Sequence, residues 1–272
     1  MVNVYSFSAG AVHAQARSLL SGKTPGVSVS EPLPRLKKQL LILGLILVSI
    51  AAGQAATYTW DANGATVPNP SDGNGTWSTA SRWWNGAANV TWTDGNEAVI
   101  GIGSGTAGAY SINVGAAVIA TNLTFNAPGS YTLTNSFRVS MIAADPNYGL
   151  TVADGVTSQI NTPLGNTNGW WYSLGSNSVL TLAGGESFGS GNPRFVGVSP
   201  SLSTVNITNG TYPQPGTVGV SGVTLNINGA GAYNPGSQID IGRTEDAIVN
   251  VSSAEFHARQ LVRAIKGDRW DE

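Results

Sequence analysis

The sequence contains no cysteine among its 272 residues. Disulfide bonds, a thiol nucleophile and a cysteine-based zinc site are therefore excluded. Charge is also scarce, since only 10% of the residues are Asp, Glu, Lys or Arg and the net charge is −2. Glycine is abundant, with 35 residues. This composition predicts one elongated β domain with many turns.

Basic residues are almost absent from the central part of the chain. Between Ala56 and Ala254 there is no lysine, and ten acidic residues outnumber four arginines. A surface of this kind repels phosphate groups and anionic lipid headgroups. We therefore expect no nucleic-acid partner and no electrostatic binding to membranes.

The N-terminal region has the layout of a secretory signal peptide. Three basic residues precede the apolar segment Leu40 to Ala52, and small residues follow it. That segment is shorter than the roughly 20 residues that a membrane-spanning helix needs. We predict a leader extension over residues 1–36 and a signal peptide over residues 37–55, with cleavage after Ala55. The protein is then expected to be exported and to contact the membrane only through the transient signal peptide. A retained membrane anchor is the alternative.

One short pattern recurs four times between Leu174 and Phe256. An aliphatic residue followed by glycine returns at intervals of about 22 residues, which is typical of stacked repeats, at Leu174-Gly175, Val196-Gly197, Val218-Gly219 and Ile241-Gly242. An aliphatic-polar-aliphatic triplet follows each pair, at Leu180-Thr181-Leu182, Val205-Asn206-Ile207, Leu225-Asn226-Ile227 and Val249-Asn250-Val251. Each unit then continues through a turn to one aromatic residue, at Phe188, Tyr212, Tyr233 and Phe256.

The alternation in these triplets predicts strands whose aliphatic side chains point inward and whose Thr or Asn side chains point outward. A unit of about 22 residues cannot bury its own apolar side, so it is stable only when stacked on similar units. The sequence therefore predicts a parallel β-helix over residues 106–254. The segment Asn161 to Tyr172 breaks the rhythm with Pro163 and the pair Trp170-Trp171, and we predict a projecting loop there.

Residues 56–105 concentrate tryptophans between turn residues and are predicted to form an N-terminal cap with the first strands. The motifs are Thr59-Trp60-Asp61, Gly75-Thr76-Trp77-Ser78, Trp83-Trp84-Asn85-Gly86, Trp92 and Ala98-Val99-Ile100. Together with the segment Leu123 to Leu133, they resemble the secreted bacterial proteins with autotransporter-associated β-strand repeats. The resemblance implies a right-handed parallel β-helix of the pectin-lyase-like shape, displayed at or beyond the cell surface. It implies no particular reaction, since solenoids of this shape serve as adhesins and as enzymes.

Residues 255–272 differ from the rest of the chain in their charge. They carry eight charged residues, four of each sign, and Leu261, Val262 and Ile265 fall on one face of a predicted helix. Such a helix would cover the open last turn of a solenoid. The alternative is a chain that was truncated or frame-shifted within a turn. The sequence ends without the membrane barrel or sorting segment with which proteins of the resembled family commonly end.

Aromatic side chains are the best candidates for binding, because sugar rings stack on flat aromatic faces. We predict glycan contacts for Trp83, Trp84, Trp170, Trp171, Tyr212 and Tyr233. The alternative is structural, with the aromatic residues of the repeats stacked on one another and the early tryptophans filling the first turn. An acidic group around Gly242, formed by Asp240, Glu245 and Asp246, is a candidate calcium site. The alternative is that these residues are solvated carboxylates in turns.

These features favour an exported, non-catalytic β-solenoid with an adhesin-like or structural role. Polysaccharide, another cell-surface molecule or a second copy of the chain is the expected partner, and no catalytic residue or cofactor is predicted. The alternative of another class is a polysaccharide lyase or glycoside hydrolase with the same fold. Lyases of this shape need a strong base, and hydrolases need paired carboxylates. A passenger fragment of a longer protein is a third possibility.

Overall fold

The structure is a computed structural model of the chain. It describes residues 55–64, 66–67, 70–102, 107–126, 129–142, 149–168, 171–190, 194–197, 203–214, 218–228, 232–235, 238–242, 246–252, 255–256 and 260–263. The predicted leader extension and all but the last residue of the predicted signal peptide lie outside the described residues. No helix within the described ranges is long and apolar enough to cross a membrane.

The described residues form strands and turns and contain no helix. In chain order the strands are β1 (Thr57–Trp60), β2 (Gly75–Thr76), β3 (Trp83–Trp84), β4 (Asn89–Val90), β5 (Asn96–Ile100), β6 (Ala109–Asn113), β7 (Val118–Phe125), β8 (Ser130–Thr134), β9 (Val139–Met141), β10 (Leu150–Val152), β11 (Thr157–Ile160), β12 (Leu164–Asn168), β13 (Trp171–Leu174), β14 (Val179–Leu182), β15 (Glu186–Ser190), β16 (Arg194–Gly197), β17 (Ser203–Ile207), β18 (Thr211–Gln214), β19 (Val218–Ser221), β20 (Val223–Asn228), β21 (Ala232–Pro235), β22 (Gln238–Ile241), β23 (Ile248–Ser252), β24 (Glu255–Phe256) and β25 (Gln260–Arg263).

From β5 onward the strands pair in parallel, and most paired strands are three apart in the chain. The long sheet, of 14 strands, contains the parallel series β5, β7, β10, β13, β16, β19, β22 and β25. The second sheet, of eight strands, runs β2, β6, β8, β11, β14, β17, β20 and β23, and a small sheet consists of β18, β21 and β24. The chain thus coils as a parallel β-solenoid, which confirms the predicted type of fold.

The four predicted triplets lie on one another in the second sheet. Leu182, Ile207 and Ile227 are in register and buried in the solenoid interior. On the outer side, Asn226 donates a side-chain hydrogen bond to Asn206, and Asn250 donates one to Asn226, both at 2.9 Å. The inner aliphatic columns are therefore confirmed for the first three triplets, and the outer amide ladder is confirmed from Asn206 to Asn250. In the fourth triplet, Val251 is 45% exposed.

The glycines that mark the repeat in the sequence are not in register. Leu174 pairs with Gly197, and Gly219 pairs with Asp240 rather than with Gly242. The turns also differ in length, since the amide ladder spans 20 residues from Asn206 to Asn226 and 24 from Asn226 to Asn250. A fixed interval between glycines therefore does not give the strand register.

Glycine is required where successive turns approach closely. A Cβ atom at Gly197 would overlap the backbone carbonyl oxygen of Gly222, which itself has a positive φ of 67°. Residues without side chains allow the backbones of two turns to meet at this corner.

Two sequence predictions are wrong. The segment Asn161 to Tyr172 is not a projecting loop, because Leu164–Asn168 is β12 and β13 begins at Trp171. The predicted C-terminal helix is replaced at Gln260–Arg263 by β25, which pairs in parallel with β22. Pairing with the edge of β22 supplies backbone hydrogen bonds to this segment, and it overrides the local helical spacing. The remainder of residues 264–272 lies outside the described residues.

Large rings close the N-terminal end of the solenoid. Strands β1, β3 and β4 pair antiparallel, whereas β1 pairs in parallel with β5. We call Trp60, Trp77, Trp83 and Trp92 the tryptophan cluster; the first three are fully buried. The ring of Trp83 lies 5.5 Å from Trp60, 4.6 Å from Trp77 and 4.7 Å from Trp92, measured between centroids. Its indole nitrogen donates to the carbonyl oxygen of Trp77 at 3.0 Å.

Asp61 is a buried carboxylate beside the tryptophan cluster. It accepts hydrogen bonds from the backbone nitrogen and the hydroxyl of Ser71, at 3.0 and 2.8 Å, and from the amide of Asn89 at 2.6 Å. Because a buried charge needs such partners, these bonds hold the loop before β2 and the strand β4 against β1.

Candidate functional site

The outer face of the long sheet carries the aromatic side chain that is best placed for binding. In β13, Tyr172 and Leu174 are buried, whereas Trp171 and Ser173 alternate with them and are half-buried on the outside. In β16, Phe195 is buried and Arg194 is exposed. Strand alternation therefore places Trp171 and Arg194 on the solvent side of the sheet.

Trp171 and Arg194 contact each other across neighbouring turns. They are partners in the β13–β16 register, and the guanidinium carbon of Arg194 lies 5.4 Å from the centroid of the Trp171 ring. A guanidinium at this distance is attracted to the negative face of the indole. The contact fixes the orientation of the ring, so a ligand that stacks on the ring does not have to order the side chain first.

The next residues in the same row extend the surface. Arg194 pairs with Gly219, and Gly219 pairs with Asp240. A Cβ atom at Gly219 would lie 3.1 Å from Cγ of Arg194, so the glycine leaves room for the arginine side chain to lie over β19. The indole and the guanidinium thus belong to neighbouring strands about 4.8 Å apart, and the carboxylate belongs to a strand two spacings, about 10 Å, beyond that of the arginine. A sugar can pack its C–H groups on the negative ring face and bond its hydroxyls to the charged groups.

Trp84 lies on this same outer face. It pairs with Thr59 in the antiparallel β1–β3 ladder, and directly opposed residues share one side of a sheet. Its neighbour Trp83 points to the interior together with Trp60. Of the adjacent pair Trp83 and Trp84, only Trp84 faces outward, and it is half-buried.

Trp83 is excluded as a glycan-binding residue. Its exposed fraction is 0%, and its ring is enclosed by other members of the tryptophan cluster. For this residue the structural alternative holds, because filling the end of the solenoid uses both faces of the indole. Trp170, another candidate, lies outside the described residues.

Tyr212 and Tyr233 are partners in the small sheet, and Tyr233 pairs in turn with Phe256. The predicted alignment of aromatic positions is therefore present for these three residues. Phe188 departs from it, because its partner in the described strands is Asn166.

The calcium candidates do not come together as one described group. Asp240 belongs to β22, Asp246 lies before β23 and is exposed, and Glu245 is outside the described residues. Within the described ranges, no three His, Cys, Asp or Glu side chains are close enough to hold a metal ion.

Sequence reasoning missed a contact between Asp72 and Tyr131. The phenol of Tyr131 donates to Oδ1 of Asp72 at 3.2 Å, and Oδ2 of Asp72 is buried without a hydrogen-bond partner. Burial raises the pKa of the Asp72 carboxyl, which the Tyr131 hydrogen bond partly offsets. Burial also raises the pKa of Tyr131, with a further contribution from the Asp72 charge. The two residues are 59 positions apart, so no local motif signals the pair.

Comparison with known proteins gives no relative of this chain. No family model, no curated protein and no solved structure matches it. Membership of the family with autotransporter-associated repeats therefore stays a prediction.

Proposed function

We propose that this chain is an exported, non-catalytic β-solenoid that binds glycans on the outer face of its long sheet and acts as a surface adhesin or matrix protein. The observation that carries the proposal is the Trp171 ring, which is half-buried on that face and held by Arg194 at 5.4 Å. A ring that is already fixed loses little conformational freedom on binding, which favours affinity.

The proposal extends to features beyond the solenoid fold itself. The proposed coil is right-handed, because connections between parallel strands strongly prefer that hand. Its turns are proposed to contain about 22 residues. Export is supported by the signal-peptide pattern before Ala56. The resemblance of the sequence motifs to proteins with autotransporter-associated repeats supports display at or beyond the cell surface.

A binding role is favoured over catalysis by the chemistry of the outer face. Between Ala56 and Ala254 the sequence contains neither lysine nor histidine. Arg194, the strong base nearest to Trp171 in the described rows, is engaged with the indole ring. A lyase needs a base that is free to remove a proton from the sugar.

The test is binding of the exported protein to a panel of soluble and insoluble polysaccharides, with polymer length followed by size-exclusion chromatography. We expect retention without shortening of the polymer, and at least a tenfold loss of affinity in Trp171→Ala. Phe137→Ala is the matched control, because Phe137 is an exposed aromatic residue away from this face. Release of reducing or unsaturated ends, abolished by Asp240→Ala or Arg194→Ala, would instead establish the lyase or hydrolase alternative.

A further inference from the structure

One row of outward-facing residues on the long sheet starts at Trp84 and ends beside Trp171. Starting from Trp84, the register runs through partners that all lie on the outer side, namely Thr59, Val99, Thr124, Thr151 and Ser173. Ser173 shares β13 with Trp171, two residues away on the same side. The strand order β3, β1, β5, β7, β10 and β13 contains five steps. At about 4.8 Å a step, the strands of Trp84 and Trp171 are roughly 24 Å apart.

The surface between the two rings consists of small uncharged side chains. The five connecting residues are threonine, serine and valine, and all are half-buried, so they present hydroxyl and methyl groups at a similar height. Such a row does not obstruct a chain lying across it. The hydroxyls offer both donors and acceptors to a ligand that is itself rich in hydroxyl groups.

The side of Trp171 toward β10 is the side away from its partner Arg194. Arg194 contacts the ring from the side of β16. On the opposite side of β13 lies β10, whose outer residue Thr151 pairs with Ser173, two residues from Trp171. A ligand that stacks on Trp171 from this side would extend across β10 and β7 in the direction of Trp84.

The five connecting residues offer no positive charge to an anionic ligand. Glu97 is the ionisable residue in the outer positions of β1 and β5, and Oε2 of Glu97 accepts the hydroxyl of Thr57 at 2.7 Å. A carboxylate beside the row repels uronic acids and sulfated sugars. The positive charge of Arg194 lies beyond Trp171, outside the row.

From this geometry, and resting on the proposed function, we infer that the ligand is an uncharged, linear polysaccharide that lies along the solenoid axis and stacks on Trp84 and Trp171 at the same time. An extended sugar unit is about as long as one strand spacing, so about five units span the distance between the rings. The bound chain crosses the strands instead of running along one of them.

The test is calorimetric titration with neutral di-, tetra-, hexa- and octasaccharides of the β-glucan, mannan and xylan series, with oligogalacturonates as the charged comparison. Affinity in one neutral series should rise about tenfold or more between the disaccharide and the hexasaccharide and then level off. Trp84→Ala should reduce hexasaccharide affinity to that of the disaccharide and leave disaccharide binding at Trp171 unchanged. Trp171→Ala should weaken both.

A second variant keeps the test independent of the N-terminal end. Thr124→Gln places a larger neutral side chain near the middle of the row, three strand steps from Trp84 and two from Trp171, and it should weaken the hexasaccharide about tenfold while sparing the disaccharide. Thr204→Gln, on an outer position of the second sheet, is its control. Equal affinity for short and long chains, unchanged hexasaccharide binding in both row variants, or tighter binding of oligogalacturonate would overturn the inference but leave glycan binding standing. Failure of every sugar to bind would overturn the proposed function as well.

Discussion

The tryptophan cluster and the stacked turns bury apolar surface in different ways. The cluster uses a few large rings, each in a contact that occurs once, such as Trp83 against Trp60 and Trp77. The turns use medium-sized aliphatic residues that repeat at equivalent positions, such as Leu182, Ile207 and Ile227. Removing one ring therefore opens the end of the solenoid. When one aliphatic side chain is removed, the equivalent residues in the turns above and below compensate for part of the lost contact.

Trp83→Ala should give the largest effect. It removes a fully buried ring and the indole hydrogen bond to Trp77, and we expect the free energy of unfolding to fall by about 3–5 kcal/mol. Urea unfolding followed by circular dichroism measures the loss. Trp84→Ala is the matched control, because this half-buried neighbour points outward. Equal destabilisation by the two variants would show that the cluster is not the structural end of the solenoid.

Gly197→Ala should come next, because it disturbs the corner where two turns meet. The new methyl group would overlap the carbonyl of Gly222, and separating the backbones should cost about 1–3 kcal/mol. Hydrogen exchange should show reduced protection where β16 pairs with β19. Gly155→Ala is the control, because no atom lies within 4 Å of the added methyl, although its φ of 68° is left-handed, unlike that of Gly197. If it disturbed the β16–β19 pairing as much, close approach would not be the cause.

Asp72→Asn should change how stability depends on pH. Burial raises the pKa of Asp72 above its ordinary value of 3.8, so the folded state holds this proton more tightly than the unfolded state. The contribution of Asp72 to stability is therefore greatest at low pH and is lost as pH rises through the raised pKa. The variant should become more stable relative to wild type as pH increases toward neutrality, as measured by denaturant midpoints.

Tyr131→Phe provides the control for Asp72. It removes the phenol that stabilises the charged carboxylate, so the decline in stability with pH should become steeper than in wild type. A constant difference between Asp72→Asn and wild type at every pH would show that the buried carboxyl has no raised pKa.

Asn226→Ala should have the smallest effect. It breaks both amide hydrogen bonds of the central ladder residue, which are partly exposed, and should cost about 1 kcal/mol. Asn250→Ala breaks one of the two bonds and should cost about half as much. Thermal unfolding of the two variants measures the difference. A cost as large as that of Trp83→Ala would mean that the outer ladder, and not the interior, holds the turns together.

The inward and outward pattern of the turns was predictable, but their register was not. Alternation in Leu180-Thr181-Leu182 and its equivalents specifies which side of a strand faces the interior, and the structure confirms it. The glycines were poor markers of the strand register, because Gly197 and Gly222 occur where two backbones approach closely and Gly219 lies beneath an arginine. Turns of unequal length shift these positions relative to one another.

The two wrong segments have a common cause. Trp171 and Tyr172 were expected in a loop because Pro163 and an adjacent tryptophan pair break the rhythm of the repeat. In the structure Trp171 points outward and Tyr172 fills the interior. Leu261 and Val262 fit a helical face, but a parallel edge was available to them. In both cases the deciding partner lies on a neighbouring turn. The contact of Trp171 with Arg194 and the shared face of Trp84 and Trp171 depend on that same register, so no local motif reveals them.

Stacked turns make the separation of Trp84 and Trp171 adjustable in fixed increments. One end is closed by the antiparallel strand β4, so lengthening must occur within the stack. Duplicating a turn between β7 and β13 would move the two indoles apart by one strand spacing, about 4.8 Å. The number of turns would then set the distance between the two rings, and a solenoid with one extra turn should prefer an oligosaccharide one unit longer.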